Sequence, residues 1–352
     1  MPAYRFVLLL ILCLSWSGIG TARATDCQPA ADGLTECVGV LEEFIGAVDY
    51  GESGDDLWQE PGPATQAWFA GLFIDFMLGD YTGAQQAGWR DDPELGAYQA
   101  YRVIRFFDLD SSAFHFLLME ATAPPDPRFL GGGLYVARPG GLPYVVEAPH
   151  PQTDLYTEHQ AVELYLLGGP RYLAIAGTRR DSSTLTSECT GGHPRSDASH
   201  HDAHLFQIAH ELLNDYGPDL IFIQLHGFGA SSLARLQQQC GTSDDRLVNL
   251  SEGLPAERGK GSRNNFMTRL ARQLERDKAA TACIYGKDTS SLGATTTLTG
   301  RYTNGSSDIC FQNATESSHR FVHVEQSYAI RSTGSRREAV NQAIAEAMAD
   351  YP

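Results

Sequence analysis

From about residue 144 onward, short apolar runs alternate with amphipathic stretches, and this alternation restricts the fold more than any other feature of the chain. Residues 144–146, 172–176, 220–225, 282–285 and 321–325 read as short buried strands, whereas 157 to about 167, 202–214 and 263–276 carry apolar side chains at helical spacing. Phe266, Leu270 and Leu274 show that spacing most clearly. Thr157-x-x-Gln160 and Ser335-x-x-Glu338 have the form of capping boxes that open helices. Strands and helices alternating in this way predict an α/β fold: a central mixed, largely parallel sheet with helices on both faces. Just upstream, runs at 114–119 and 134–136 lead into 144–146, separated by Gly131-Gly132-Gly133 and Gly140-Gly141, and predict neighbouring strands joined by hairpins. The polar stretches 181–195 and 289–308 predict surface loops.

The N-terminal third is less legible. Residues 1–24 predict a signal peptide: Arg5, an apolar run over 6–16, then a small-x-small pattern ending at Ala24. The run is about half of the ~20 residues that a membrane span needs. No membrane association is expected after cleavage, and the chain is expected to be secreted or periplasmic. Residues 25–112 form an N-terminal extension of unstated role, with weak helical signals at 65–78 and 95–107, and 113–352 form the α/β domain. With 26 basic and 43 acidic residues the net charge is -17, and losing Arg5 and Arg23 takes it to -19. Such a surface repels nucleic acid and anionic membrane.

Cys13 leaves with the signal, and Cys27, Cys37, Cys189, Cys240, Cys283 and Cys310 remain. An even number in an exported chain predicts disulfides rather than thiolate metal ligands. Sequence order suggests the pairs Cys27–Cys37, Cys189–Cys240 and Cys283–Cys310. Asn249, Asn304 and Asn313 stand in N-glycosylation patterns that matter only for a eukaryotic source.

Ligands in open α/β sheets gather at the carboxyl ends of the strands. There the chain places His150 and Asp154, then Arg179 and Arg180, then His226, then Glu325. A catalytic zinc takes three protein ligands from imidazole and carboxylate and leaves one position open. His150, Asp154 and His226 supply that set, with Glu158 as the alternative oxygen ligand. A carboxylate outside the ligand set, Glu325, is positioned to take the proton of an attacking water. Arg179 or Arg180 can clamp a substrate carboxylate, and because neighbouring residues at a strand end point in opposite directions, one of the two is expected to face the site.

The order His with a nearby carboxylate, Arg, a strand-end His-Gly and a late strand-end Glu resembles the zinc-dependent exopeptidase superfamily, which includes metallocarboxypeptidases, aspartoacylase-like deacylases and N-formylglutamate amidohydrolases. The resemblance covers roughly 134–348. Ile223-Gln224-Leu225-His226-Gly227 looks like the strand that delivers the last zinc ligand, and Phe321-Val322-His323-Val324-Glu325 like the one that delivers the base. The Pro149-His150-Pro151 context is most similar to the N-formylglutamate amidohydrolase-like members. The resemblance implies a phosphorylase/hydrolase-like fold, a Zn2+ cofactor and hydrolysis of an amide bond in a small-molecule or peptide substrate with a carboxylate. One departure stands out: the usual His-x-x-Glu ligand pair occurs nowhere in the chain. A γ-glutamyl or cell-wall peptide hydrolase on the same scaffold, or a secreted binding protein with a decayed metal site, are the competing expectations.

His193, His200, His201, His204 and His210 crowd into 18 residues. His200 and His204 at i, i+4 offer a rival metal pair or a solvated helix start, with a substrate-binding or supporting role for His200 as the other reading. His210, beside Phe206 and Leu213, reads as a core histidine. His159 and Glu163 read as a helix-surface pair. No Gly-x-Ser-x-Gly, Walker A loop or strand-following Gly-x-Gly-x-x-Gly occurs, so serine-hydrolase and nucleotide-cofactor chemistry have no support.

Overall fold

The computed structural model describes residues 25–189, 191–257 and 265–351. The expected signal peptide and the first residues of the helix expected over 263–276 lie outside the described residues. The N-terminal part holds β1 (Asp26–Pro29), β2 (Thr35–Gly39), α1 (Leu41–Gly46), α2 (Pro63–Met77), α3 (Tyr81–Ala87) and a separate hairpin of β3 (Trp89–Asp92) and β4 (Gly96–Gln99). Next come β5 (Tyr101–Asp108), β6 (Ala113–Glu120), β7 (Leu134–Ala137), β8 (Leu142–Ala148), α4 (Thr157–Gly168), β9 (Pro170–Ile175), α5 (Leu205–Tyr216) and β10 (Ile221–Phe228). The chain ends with α6 (Ala230–Cys240), β11 (Leu247–Ser251), α7 (Phe266–Arg276), β12 (Thr281–Ile284), α8 (Leu298–Thr303), β13 (Phe321–Ser327), α9 (Tyr328–Arg331) and α10 (Gly334–Ala349).

Eleven strands form one mixed sheet in the order β1-β2-β5-β6-β7-β9-β8-β10-β13-β11-β12. Its central block, β9-β8-β10-β13, is parallel throughout. Helices cover both faces, as the alternation predicts. Apolar residues of α1, α4, α7 and α10 pack on one face, and those of α2, α3 and α5 on the other.

Side-chain alternation along the central strands creates two unlike faces. Tyr144, Val146, Ile221, Ile223, Leu225, Val322 and Val324 join the α4/α7/α10 core. On the opposite face Val145, Phe222 and Phe321 join the α5 core. Further along the same face stand Glu147, Gln224 and His323, followed by His226 and Glu325, all buried. A column of polar side chains thus climbs through the core to the carboxyl edge of the sheet. Buried polar groups are tolerated only when paired, and most members of this column are.

Several local expectations are corrected. The hairpin between 134–136 and 144–146 does not form, because β9 inserts between β7 and β8 and pairs with both. Residues 96–99 and 101–107 are strand rather than helix: β4 pairs with β3 and β5 with all eight residues of β6, and those ladders override weak helical propensity. The stretch 289–308 contains α8. Neither capping box is made. Tyr156, in the left-handed region, precedes α4, and Gln160 turns into the core to meet Gln326 and Asn341. Thr333 precedes α10 and gives no side-chain cap.

Three disulfides form among the described residues, as the even cysteine count predicts. Cys27–Cys37 forms between register partners of β1 and β2, but the other pairs are Cys189–Cys310 and Cys240–Cys283. Chain order misleads here because the loop after β9 meets the loop after α8, while the end of α6 lies against β12. Asn249 is buried within β11 and bonded to Ser291 and Leu292, which leaves no room for a glycan there. No helix among the described residues is long and apolar enough to cross a membrane.

Candidate functional site

At the carboxyl edge of the parallel block, β8 runs into His150 and β10 delivers His226. The two imidazoles lie edge to face with ring centroids 4.7 Å apart. Both turn Nδ1 toward one oxygen of Asp154: His150 Nδ1 is 3.1 Å and His226 Nδ1 is 3.3 Å from Asp154 Oδ2. Two ligands each about 2.1 Å from one tetrahedral ion lie about 3.4 Å apart. Both histidine–carboxylate separations are therefore those of a single zinc coordination shell, and the three donor groups, all within 4.8 Å of one another, fit that ion. Glu158 instead accepts a hydrogen bond from the Gln152 amide, so Asp154 is the carboxylate beside both histidines. Gly227 follows His226 because the Arg331 guanidinium lies 2.1 Å from where a Cβ would stand. The Gly227 amide donates to Asp154 Oδ2 at 3.1 Å and fixes the carboxylate.

The second nitrogen of each ring is also held. His150 Nε2 lies 2.9 Å from Asp197 Oδ1, and His226 Nε2 lies 2.9 Å from Gln224 Oε1. Such outer partners orient metal-binding imidazoles and set their tautomers. Burial, helped by His150 and Arg180, pushes His226 down to about 4 against the pull of Asp154, so this ring is neutral at pH 7. For His150, burial and Arg180 act downward, but Asp197 and Asp154 together raise its pKa. Asp154 and Asp197 are held well below the carboxylate range by the adjacent histidines despite their burial.

Arg180 is the arginine that faces the site. Its guanidinium lies 3.1 Å from Asp197 Oδ2, 3.7 Å from Asp154 Oδ1 and 3.4 Å from His150 Nδ1, with 31% of the side chain exposed. Arg179 turns away to pair with Asp181. His200 also enters this cluster: its Nδ1 is 3.1 Å from Asp197 Oδ1, its Nε2 is 3.3 Å from Thr296 Oγ1, and its ring stacks on His193 at 3.5 Å. His193, Asp197 and His200 make another converging donor group, but the Arg180 cation already occupies the second oxygen of Asp197. The solvated helix start expected around 200–204 is absent. His200, His201 and His204 are buried, and His204 caps α5 through its own Nδ1. His210 is a buried core histidine paired with Glu147, as expected.

Glu325 is the register partner of His226 on the adjacent strand β13. Its Oε2 is buried and has no hydrogen-bond partner among the described residues, and its Oε1 lies 3.7 Å from His323 Nε2. Burial and then the charge of Asp154 push its carboxyl up to about 8, against His150, Arg180 and Arg331. His226, His323 and Glu325 also converge within the spacing of a metal group.

Asp197, Gln224 and His323 are the site residues that the sequence reading leaves out. Gln224 and His323 stand two residues before His226 and Glu325, on the same strand face, so period-two alternation identifies them. Asp197 lies in an irregular loop and carries no local signal.

No protein-family model matches the chain, and no curated protein matches it. Similar solved structures include a bacteriophage poly-gamma-glutamate hydrolase, 15% identical over 62% of this chain and 89% of that one with a TM-score of 0.36. They also include a zinc-free apo form of YndL, 12% identical over 61% and 89% with a TM-score of 0.36. At these scores neither assigns a function to the chain.

Proposed function

We propose that the chain is an exported zinc-dependent hydrolase that cleaves an amide bond in an N-acyl amino acid or peptide bearing a free carboxylate. The observation that carries this reading is the convergence of His150, Asp154 and His226 at zinc-ligand spacing beside a buried, unpartnered Glu325 oxygen. Zinc supplies Lewis acidity, acidifying water and polarising the substrate carbonyl. His150, Asp154 and His226 would hold the ion. Arg180 binds the substrate carboxylate through the exposed part of its guanidinium and keeps its other edge on Asp197.

Glu325 Oε2 takes a proton from the attacking water as its oxygen bonds to the carbonyl carbon. It returns that proton to the nitrogen as the carbon–nitrogen bond breaks, so the products are an acid and an amine. A carboxyl oxygen with no other hydrogen-bond partner among the described residues is free for this two-way transfer.

Metal analysis of the purified protein, followed by a panel of N-acyl amino acids, short peptides and γ-glutamyl peptides, tests the reading. About one zinc per chain, lost in His150→Ala and His226→Ala together with turnover, is expected. Protein that binds no zinc and turns over nothing in the panel refutes the assignment. Zinc bound without turnover points to a secreted binding protein instead.

A further inference from the structure

Beneath the candidate metal centre lies a chain of buried polar groups that the proposed reaction does not use. His226 Nε2 meets Gln224 Oε1 at 2.9 Å, and Gln224 Nε2 meets Glu147 Oε2 at 2.9 Å and Thr299 Oγ1 at 3.0 Å. Glu147 Oε1 meets His210 Nδ1 at 2.7 Å, and His210 Nε2 meets Thr303 Oγ1 at 2.8 Å. Glu147, Gln224 and His210 are buried, and Phe222 packs against the His210 ring at 4.3 Å. Putting a carboxylate and an imidazole in such a place costs stability relative to apolar side chains of the same size. Their burial therefore calls for a role.

The donor and acceptor inventory supplies one. The edge of Gln224 that faces Glu147 is its NH2, which donates to Glu147 Oε2 and to Thr299 Oγ1. The amide is planar, so its oxygen faces His226, and an oxygen there can be satisfied only by an N–H on His226 Nε2. A neutral imidazole has one such proton, which leaves the lone pair on Nδ1. That lone pair and Asp154 Oδ2, 3.3 Å away, are then two acceptors that a cation between them would join.

We propose that Glu147 is a positioning residue that, through Gln224, locks His226 in its Nε2–H tautomer and presents Nδ1 as a metal ligand. The inference rests on reading His150, Asp154 and His226 as a metal centre. Glu147 sits beside Gln224 as its register partner across β8 and β10, so the strand pairing itself maintains the contact. Thr299, on α8, accepts from the same Gln224 nitrogen and opposes rotation of the amide. In Glu147→Gln the new amide offers both a donor and an acceptor. Gln224 can then turn over, place its NH2 against His226 and move the imidazole proton to Nδ1, where it blocks the ligand position.

The test uses the full-length 15N-labelled protein. Imidazole 15N spectra of the metal-free form at neutral pH report the tautomer, and competition with a chromophoric chelator reports zinc affinity. Wild type is expected to show His226 as Nε2–H. Glu147→Gln is expected to populate Nδ1–H and lose about tenfold in zinc affinity, and Gln224→Leu to lose about 10–100-fold. An unchanged His226 tautomer and zinc affinity in Glu147→Gln overturn the proposal. Should Glu147→Gln fail to fold, Gln224→Leu leaves the Glu147–His210 pair in place and decides the matter by the same two readouts. If wild type binds no zinc, the proposed function fails, yet the metal-free spectra still decide here: Nε2–H lost in Glu147→Gln sustains the positioning role, and Nδ1–H in wild type overturns it.

Discussion

His226 and Glu325 are register partners on the adjacent parallel strands β10 and β13, so the sheet ladder sets the distance between a candidate metal ligand and a candidate base. Substituting Glu325 by Gln keeps the volume and one oxygen but removes the proton acceptor. Hydrolysis is expected to fall about 10²–10⁴-fold, while zinc stays bound because Glu325 lies outside the His150, Asp154 and His226 set. Parallel metal analysis and steady-state assays of the variant check both halves, and unchanged turnover removes Glu325 from the mechanism.

Asp197 is buried, touches His150 and His200, and carries the inner edge of Arg180. Replacing it with Asn keeps the shape but offers an NH2 where His150 or Arg180 needs an acceptor. Zinc affinity is expected to drop about 10–100-fold, with a rise in KM for carboxylate substrates as Arg180 loses its anchor. Chelator competition that shows wild-type affinity contradicts this role.

Much of this arrangement is legible in the sequence and part of it is not, for one physical reason. The alternation Val145-Val146-Glu147-Ala148 and Phe222-Ile223-Gln224-Leu225-His226 announces strands with one apolar and one polar face, because successive side chains point oppositely. The strand ends therefore identify His150, His226 and Glu325. Strand order follows from long-range pairing, which local pattern does not carry, and so β9 between β7 and β8 goes unread. Asp197 and the Cys189–Cys310 pair belong to loops whose paths are set by what they pack against. The 95–107 stretch shows the same limit: Tyr101, Val103 and Phe106 become strand only because β6 is there to pair with them.

Arg179 and Arg180 are neighbours with opposite surroundings, which yields a paired test. Arg180→Ala is expected to cost about 10–100-fold in kcat/KM for a substrate with a free carboxylate, the equivalent of a charge-assisted hydrogen bond of about 1.5–3 kcal/mol. The loss should largely vanish when that carboxylate is amidated. Arg179→Ala breaks the pair with Asp181 and is expected to change kcat/KM by less than about threefold, within the small effects usual for partly exposed ion pairs. Equal losses in both variants rule out Arg180 as the specific carboxylate clamp.

The Cys189–Cys310 bridge closes a sequence separation of 121 residues and ties the loop that carries Asp197 and His200 to the one that follows α8. Removing it through a Cys189→Ala, Cys310→Ala pair is expected to cost about 2–5 kcal/mol of stability. Zinc affinity should fall as well, because Asp197 is set in that loop. The Cys240–Cys283 bridge joins α6 to β12, away from the metal ligands. Its removal is expected to lower the denaturation midpoint and leave zinc affinity alone. Equal effects of the two double variants on zinc affinity contradict the assignment of the first bridge to the site.

His204 gives the stability of the chain a pH dependence with a defined sign. Its Nδ1 accepts a hydrogen bond from the Phe206 amide and caps α5, so the cap exists only while that nitrogen is unprotonated. The ring is buried, stacked on Trp58 at 5.5 Å, and burial above all, with His201 adding to it, pushes its pKa down to about 3. In the unfolded chain the same group titrates near its ordinary value of about 6.5. Between those values the unfolded state binds the extra proton, so stability is full above about pH 6.5 and falls as the pH drops toward 3. The loss from this residue is on the order of 4–5 kcal/mol. His204→Asn keeps a capping acceptor that does not titrate. Denaturation of both proteins across pH 4–7 is expected to show wild type losing stability relative to the variant as the solution is acidified, and parallel curves contradict the assignment.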